Sequence, residues 1–266
     1  MSQLSPTDFA DLRSAAAKLE TQNFAMAIAS KAGIPVEALV HMLPKNAQVP
    51  IGAAVDKALQ QCLRIALGFG ESKSSLTRHK GPHTAAVALT GAVGGFFGLP
   101  GVIVELPVTT TLMLHSIIEI ARQQGEDLSD AGNALACLEV LALGPQGTRG
   151  DALESAYYAT RAALARVTRE ASVYIAREGL SKEAAPALVA FLGKIGSRFG
   201  VEVSEKAVAE LIPVAGAVGG MAVNVLFIHY FQRLAEGHFT VRRLERKYGS
   251  GLVQQEYELV RSRRHG

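Results

Sequence analysis

No tryptophan occurs in the 266 residues, and aromatic residues make up only 6% of them. The Trp and Tyr belts that anchor spanning proteins at lipid interfaces are therefore not strongly represented. Cysteine is nearly absent too: Cys62 and Cys137 lie far apart and without metal-ligand spacing, which excludes a disulfide framework and a zinc site and fits a reducing cytoplasm. Charged residues are scarce at 19%, below the usual quarter, while apolar residues reach 48%, a balance that leans toward membrane contact. Met1 to Pro6 shows no basic region leading into an apolar core, so no secretion signal is expected. Several chemical signatures are also missing. There is no Gly-x-Ser-x-Gly elbow and no Glu-x-x-His pair, and no long stretch alternates with period two.

What is present is an apolar, glycine-rich segment that occurs twice. Gly91-Ala92-Val93-Gly94-Gly95 recurs letter for letter from Gly216 to Gly220, inside uncharged runs from Gly81 to Val104 and from Leu211 to Gln232. Neither copy carries the Lys-Ser/Thr of a phosphate loop, and no strand precedes it to make a dinucleotide fingerprint. Glycines four apart let helix backbones approach closely, so Gly91 and Gly95 are expected to pack against Gly216 and Gly220.

Apolar residues three and four apart predict helices almost throughout. Ser5-Pro6 starts the first, which carries Phe9, Leu12, Leu19 and Phe24 until Gly33 and Pro35 stop it. A short helix to Met42, a loop from Pro44 to Pro50 and a helix ending at Gly68 and Gly70 follow. The polar stretch Glu71 to Pro82 reads as a hinge. Thr84 to Phe97 is expected to be helical and joined by a Gly98–Gly101 turn to an apolar helix that stops at Gly125, forming a hairpin. Further helices are expected from Ser129, over Asp151–Glu178, Ser181–Phe199 and Ser204–Leu211, through the second apolar run until Gly237 interrupts it, and over His238–Tyr248 and Leu252–Arg264. The fold class is all-α: a multi-helix bundle around two glycine-rich apolar central helices, one of them in a helical hairpin. Residues 1–70 read as an N-terminal helical extension and 71–266 as the main helical domain, packed as one unit.

A series of stretches carries a family resemblance. Gly94-Gly95-Phe96-Phe97-Gly98-Leu99-Pro100, Glu105-Leu106-Pro107-Val108-Thr109-Thr110-Thr111, Ile117-Ile118-Glu119-Ile120-Ala121 and Ala136 to Gly144 come first. Tyr157-Tyr158 with Arg161, Pro213 to Gly220 with Asn224, and His238-Phe239 with Arg242-Arg243-Leu244-Glu245 complete the order. Together they resemble the EcsC family of bacterial proteins over about Lys57 to Tyr257. The family takes its name from an operon that also encodes an ABC transporter. The resemblance implies a bacterial, cytoplasm-facing, membrane-linked role, and carries over no catalytic residue.

The first apolar run is broken at Pro100, leaving about 24 Å of helix, short for a bilayer span. The second is long enough but contains Pro213, Asn224 and His229, each costly in lipid. A soluble core, a peripheral or hairpin-inserting protein and two true spans remain open. Arg78, Lys80 and Arg233 against Glu105, Glu202, Glu205 and Glu210 give the charge asymmetry of a two-span protein. The segment that would cross is nonetheless rich in Arg and Lys. From Arg233 onward eight basic side chains accompany four acids, a solvated face or a contact for anionic headgroups. We expect reversible association with an anionic membrane surface or a membrane transport complex at the inner face of the cytoplasmic membrane. The contacts expected are Phe96, Phe97, Leu99, Arg242, Arg243 and Arg246.

Catalytic candidates are Glu105, His115, Glu119, Glu139 and His229, carboxylates and imidazoles in apolar helices where a raised pKa would suit acid-base work. Pairing of Glu105, Glu119 and Glu139 with Arg122, Arg161, Arg233 or Arg242 is the structural alternative. No metal site, cofactor or nucleic-acid partner is expected. The leading functional reading is a non-enzymatic accessory protein of an envelope or ABC-transport-linked process; the second is a hydrolase-like or lipid-processing enzyme.

Overall fold

The computed structural model describes residues 4–20, 24, 47–71, 99–144, 156–180, 185–211 and 217–265. Among the described residues the chain is helical, with no strand. The helices are α1 (Pro6–Leu19), α2 (Gln48–Glu71), α3 (Leu99–Gln123), α4 (Ala131–Glu139), α5 (Ala156–Glu178), α6 (Pro186–Leu211), α7 (Ala217–Tyr248) and α8 (Ser250–His265), with a 3-10 turn at Val140–Ala142 after α4. The expected hinge at Glu71–Pro82 and the helix from Thr84 to Phe97 lie, Glu71 apart, outside the described residues. So do Gly91, Gly95 and Gly216, and with them the proposed glycine contact; Gly220 lies in the first turn of α7.

Local chemistry explains most boundaries. Ser5 caps α1 by accepting a hydrogen bond from the Asp8 amide, with Pro6 in the first turn where its missing N–H costs nothing. Gly125 at φ 80° and Gly179 at φ 62° close α3 and α5 in the left-handed region that favours glycine. Other expected boundaries move. Pro50 is taken into the first turn of α2, where its absent N–H is one of the donors without an intrahelical acceptor. Leu99, Pro100 and Gly101, expected in a turn, open α3, and that helix runs on through Pro107. Asp130, not Ser129, caps α4 by accepting from the Asn133 amide, because the Ser129 hydroxyl is spent on Asp127. Ser204 does not start a new helix: its hydroxyl donates to the Gly200 carbonyl inside a continuous α6.

Gly237 does not break α7 either, since the helix continues from Ala217 to Tyr248. It marks the closest approach of α1. A Cβ there would sit 2.7 Å from Leu19 Cγ and 3.1 Å from the Ala15 carbonyl oxygen. Helix α7 is the spine, packing against α1, α3, α6 and α8, while α2 lies against α3, α6 and α4. One cluster of buried side chains runs through all of them, from Leu12 and Leu19 on α1, through Leu59 and Cys62 on α2, to Phe227, Phe231 and Phe239 on α7. Helices from residues 1–70 contribute to that same core.

Candidate functional site

The most unusual chemistry lies where α3 begins, α6 ends and α7 begins. Glu202, Lys206 and Glu210 follow one another at four-residue intervals and form one stripe of α6. All three are buried, Lys206 completely. The Lys206 ammonium contacts Glu105 Oε1 of α3 and lies 2.6 Å from Glu210 Oε1, with the Phe227 ring of α7 5.8 Å away. Two carboxylates and an aromatic face surround the buried ammonium and offset the cost of taking it out of water. Burial pushes the Glu210 carboxyl up, Lys206 pulls it down, and Glu105 adds to the rise. One turn back, burial and then the neighbouring Glu205 raise Glu202 to about 8, so it holds a proton at neutral pH beside the Tyr230 hydroxyl, 3.5 Å away. Thr109, one turn after Glu105, and Asn224, one turn before Phe227, are fully buried. Neither the Thr109 hydroxyl nor either Asn224 amide atom has a hydrogen-bond partner among the described residues.

A second polar group sits between α5 and α7. Arg161 grips Glu245 with both terminal nitrogens, at 2.7 and 2.9 Å, and also donates to the Tyr157 hydroxyl at 3.3 Å. That hydroxyl also forms a hydrogen bond with His238 Nδ1, 3.0 Å away. His238 Nε2 has no hydrogen-bond partner among the described residues. Burial, then Arg161 and Arg242, push the His238 pKa well below the ordinary value. Tyr257 stacks on Tyr157 at 5.6 Å and donates to Glu20. His238 is fully buried, because the helix runs unbroken through Gly237.

The catalytic candidates are not brought together. Glu105 is buried against Lys206. Glu139 is buried, its carboxylate accepting from the Thr168 hydroxyl and its pKa raised by burial. Glu119 and His229 are exposed on different helices, bonded to Gln123 and Gln232, and His115 is half-buried. The bonded partners of these acids are not the expected arginines: lysine serves Glu105, an amide serves Glu119, and the Thr168 hydroxyl serves Glu139, on which Arg242 and Arg161 act only through their charge. The core stripe of α3 is Val102, Leu106, Met113, Ile117 and Ala121. That leaves Glu119 on the far side, whereas Glu105 faces α6. Among the described residues no group of three His, Cys, Asp or Glu side chains is placed to hold a metal ion.

The residues expected at a membrane divide similarly. Phe96 and Phe97 lie outside the described residues, and Leu99 opens α3. Arg242 and Arg246 both clasp Glu126 in the α3–α4 connection, Arg242 through Nε at 2.9 Å. Burial opposes that carboxylate's charge, but the two guanidinium groups hold its pKa below the usual range. Arg243 reaches Asp8 and, at 2.6 Å, Asp11 on α1. Glu105, Glu202 and Glu210, expected as flanking acids, are buried inside the bundle.

Most of the residues that form these groups lie where relatedness is found: the family model described as the EcsC protein family matches residues 8–244. The chain belongs to the EcsC family. No curated protein and no solved structure matches it. In EcsC terms the Tyr157-Tyr158 and Arg161 segment and the His238 to Glu245 segment meet in one aromatic and ionic cluster. Sequence reading missed Lys206 as a centre, although a Lys and a Glu four apart within Val203, Ala207, Val208, Ala209 and Leu211 is a signal of a buried pair.

Proposed function

We propose that this EcsC-family chain is a membrane-associated, non-enzymatic accessory protein. It works at the inner face of a bacterial cytoplasmic membrane in an envelope or ABC-transport-linked process. The observation that carries the reading is the outer face of α3. From Gly101 to Gln123 this helix is long and apolar enough to cross a bilayer by length and composition, with mean hydropathy 1.5, and half of it is buried in the bundle. Its start points valines outward: Val104 is 78% exposed and Val108, one turn on, 46%. An apolar stripe on a helix whose other face is anchored by Lys206 suits a chain that lies in the headgroup boundary. The interior acids spend their charge on Lys206, Arg161, Arg242 and Arg246, which supports a scaffold role. Arg242 and Arg243 are engaged internally, so the apolar stripe provides most of the contact.

Flotation with anionic vesicles tests this. The wild-type chain is expected to rise with the vesicles and to remain bound when salt is raised, because burial of apolar surface is not screened. Val104→Asp with Val108→Asp is expected to stay in the dense fraction while keeping its circular dichroism spectrum. Wild-type protein that remains dense at low salt refutes the reading.

A further inference from the structure

We propose that the junction of α3, α6 and α7 binds one small monovalent cation of the alkali class, held by Glu105, Glu210 and Asn224. The register of the α6–α7 pair brings these groups together. Lys206 faces Phe227 and Glu202 faces Tyr230, so the two helices run antiparallel with residue numbers rising on one as they fall on the other. Continuing that register by one turn sets Asn224 opposite Glu210. Glu105 reaches the same level from α3 through its contact with Lys206.

The charges there do not balance. Two carboxylates share one ammonium, and every group is at least nine-tenths buried. Lys206 uses one oxygen of Glu105, and Glu105 Oε2 and Glu210 Oε2 have no hydrogen-bond partner among the described residues. Asn224 is an independent indication of a ligand. It is completely buried, and neither its carbonyl oxygen nor its amino group is bonded, an arrangement that is costly unless something else is bound. The groups facing the site are Glu105 from α3, Lys206 and Glu210 from α6 and Asn224 from α7, with Glu202, Glu205 and Tyr230 a turn or more deeper. Two carboxylate oxygens and an amide oxygen form a hard oxygen set suited to a singly charged hard ion. One added positive charge makes the cluster with Lys206 neutral. The inference does not depend on the membrane reading and is tested on the full chain in solution.

The test is thermal unfolding followed by circular dichroism at constant ionic strength and about pH 8, with choline replaced stepwise by sodium or potassium over about 1–300 mM. The expected result is a saturable rise in Tm, of about 5–10 °C when the cation reaches a hundred times its Kd, and a smaller rise near pH 5 where protons compete. Asn224→Leu, close in size, is expected to abolish the cation dependence and to raise the Tm in choline alone. If that variant does not fold, sodium-23 line broadening by the wild-type chain, reversed by potassium, reads binding directly. The proposal is overturned by a Tm equal in choline, sodium and potassium, including one that moves with pH alone, which would show a proton balancing the site. It is equally overturned by cation dependence that Asn224→Leu leaves intact, or by an unbroadened sodium signal.

Discussion

Replacing Lys206 by Met keeps the length and apolar stem of the side chain and deletes only the charge. In the native protein the ammonium is fully buried between Glu105 and Glu210. Its loss leaves two interior carboxylates facing each other without a counter-charge. Breaking a buried pair from one side costs about 3–5 kcal/mol, which for a chain of this size lowers Tm by roughly 6–20 °C. The penalty depends on pH. In the variant the Glu210 carboxyl, already raised by burial, loses the Lys206 charge that pulls it down, so the folded state binds more protons than the unfolded one and gains stability as pH falls. The gap between wild type and Lys206→Met is therefore widest near pH 8 and narrows toward about pH 5. Combining Lys206→Met with Glu105→Gln and Glu210→Gln removes every charge at once and is expected to recover most of the loss. Urea unfolding monitored by far-UV circular dichroism in a choline buffer measures all three proteins. A Lys206→Met variant within about 1 kcal/mol of wild type at the higher pH would refute the account, being too small for an orphaned buried charge. So would a gap that widens on acidification.

Three further outcomes follow from the geometry. Gly237→Ala gains about 1 kcal/mol of helix propensity but drives a methyl against Leu19 and the Ala15 carbonyl, at about 1–3 kcal/mol. A net loss in urea unfolding is expected, larger for Gly237→Val; a stabilised alanine variant contradicts the close α1–α7 contact. His238 is neutral and buried while the unfolded ring takes a proton below about pH 6.5, so wild-type stability falls by about 1.4 kcal/mol per pH unit on further acidification. His238→Phe is expected to remove that part of the slope, as read from unfolding curves across the range. Burial pushes the Cys62 and Cys137 thiols up to about 12, so neither is expected to react with a thiol reagent in the native protein and both are expected to react in denaturant.

Much of the fold was legible in the sequence because the helix signals are local. Ser5-Pro6, Gly125 and Gly179 act through their own backbone, and the structure uses each where expected. Misreadings came where a side chain had a tertiary alternative. Ser204 and Gly237 carry the local marks of a boundary, yet one bonds back to Gly200 and the other makes room for α1, a helix more than two hundred residues away. The candidate site was less legible. Periodicity placed Glu105 in an apolar helix but could not say that Lys206, rather than an arginine, faces it, because the α3–α6 register is fixed by packing along both helices. The acids at 105, 202 and 210 read as membrane flanks because a charge at the end of an apolar run looks the same beside lipid headgroups or inside a bundle.

The joining of α1 to the far end of α7 sets an order for events during synthesis. Lys247 donates to Asp8 at 2.7 Å across 239 residues, beside Tyr248 at 2.8 Å and Arg243. Leu12, Ala15, Ala16 and Leu19 are covered by a helix made about two hundred residues later. At about 5–20 residues per second, the apolar face of α1 waits roughly 10–50 seconds on the ribosome for its partner. The nascent chain is therefore expected to depend on whatever shields that face in the meantime, and a pause before α7 emerges prolongs its exposure.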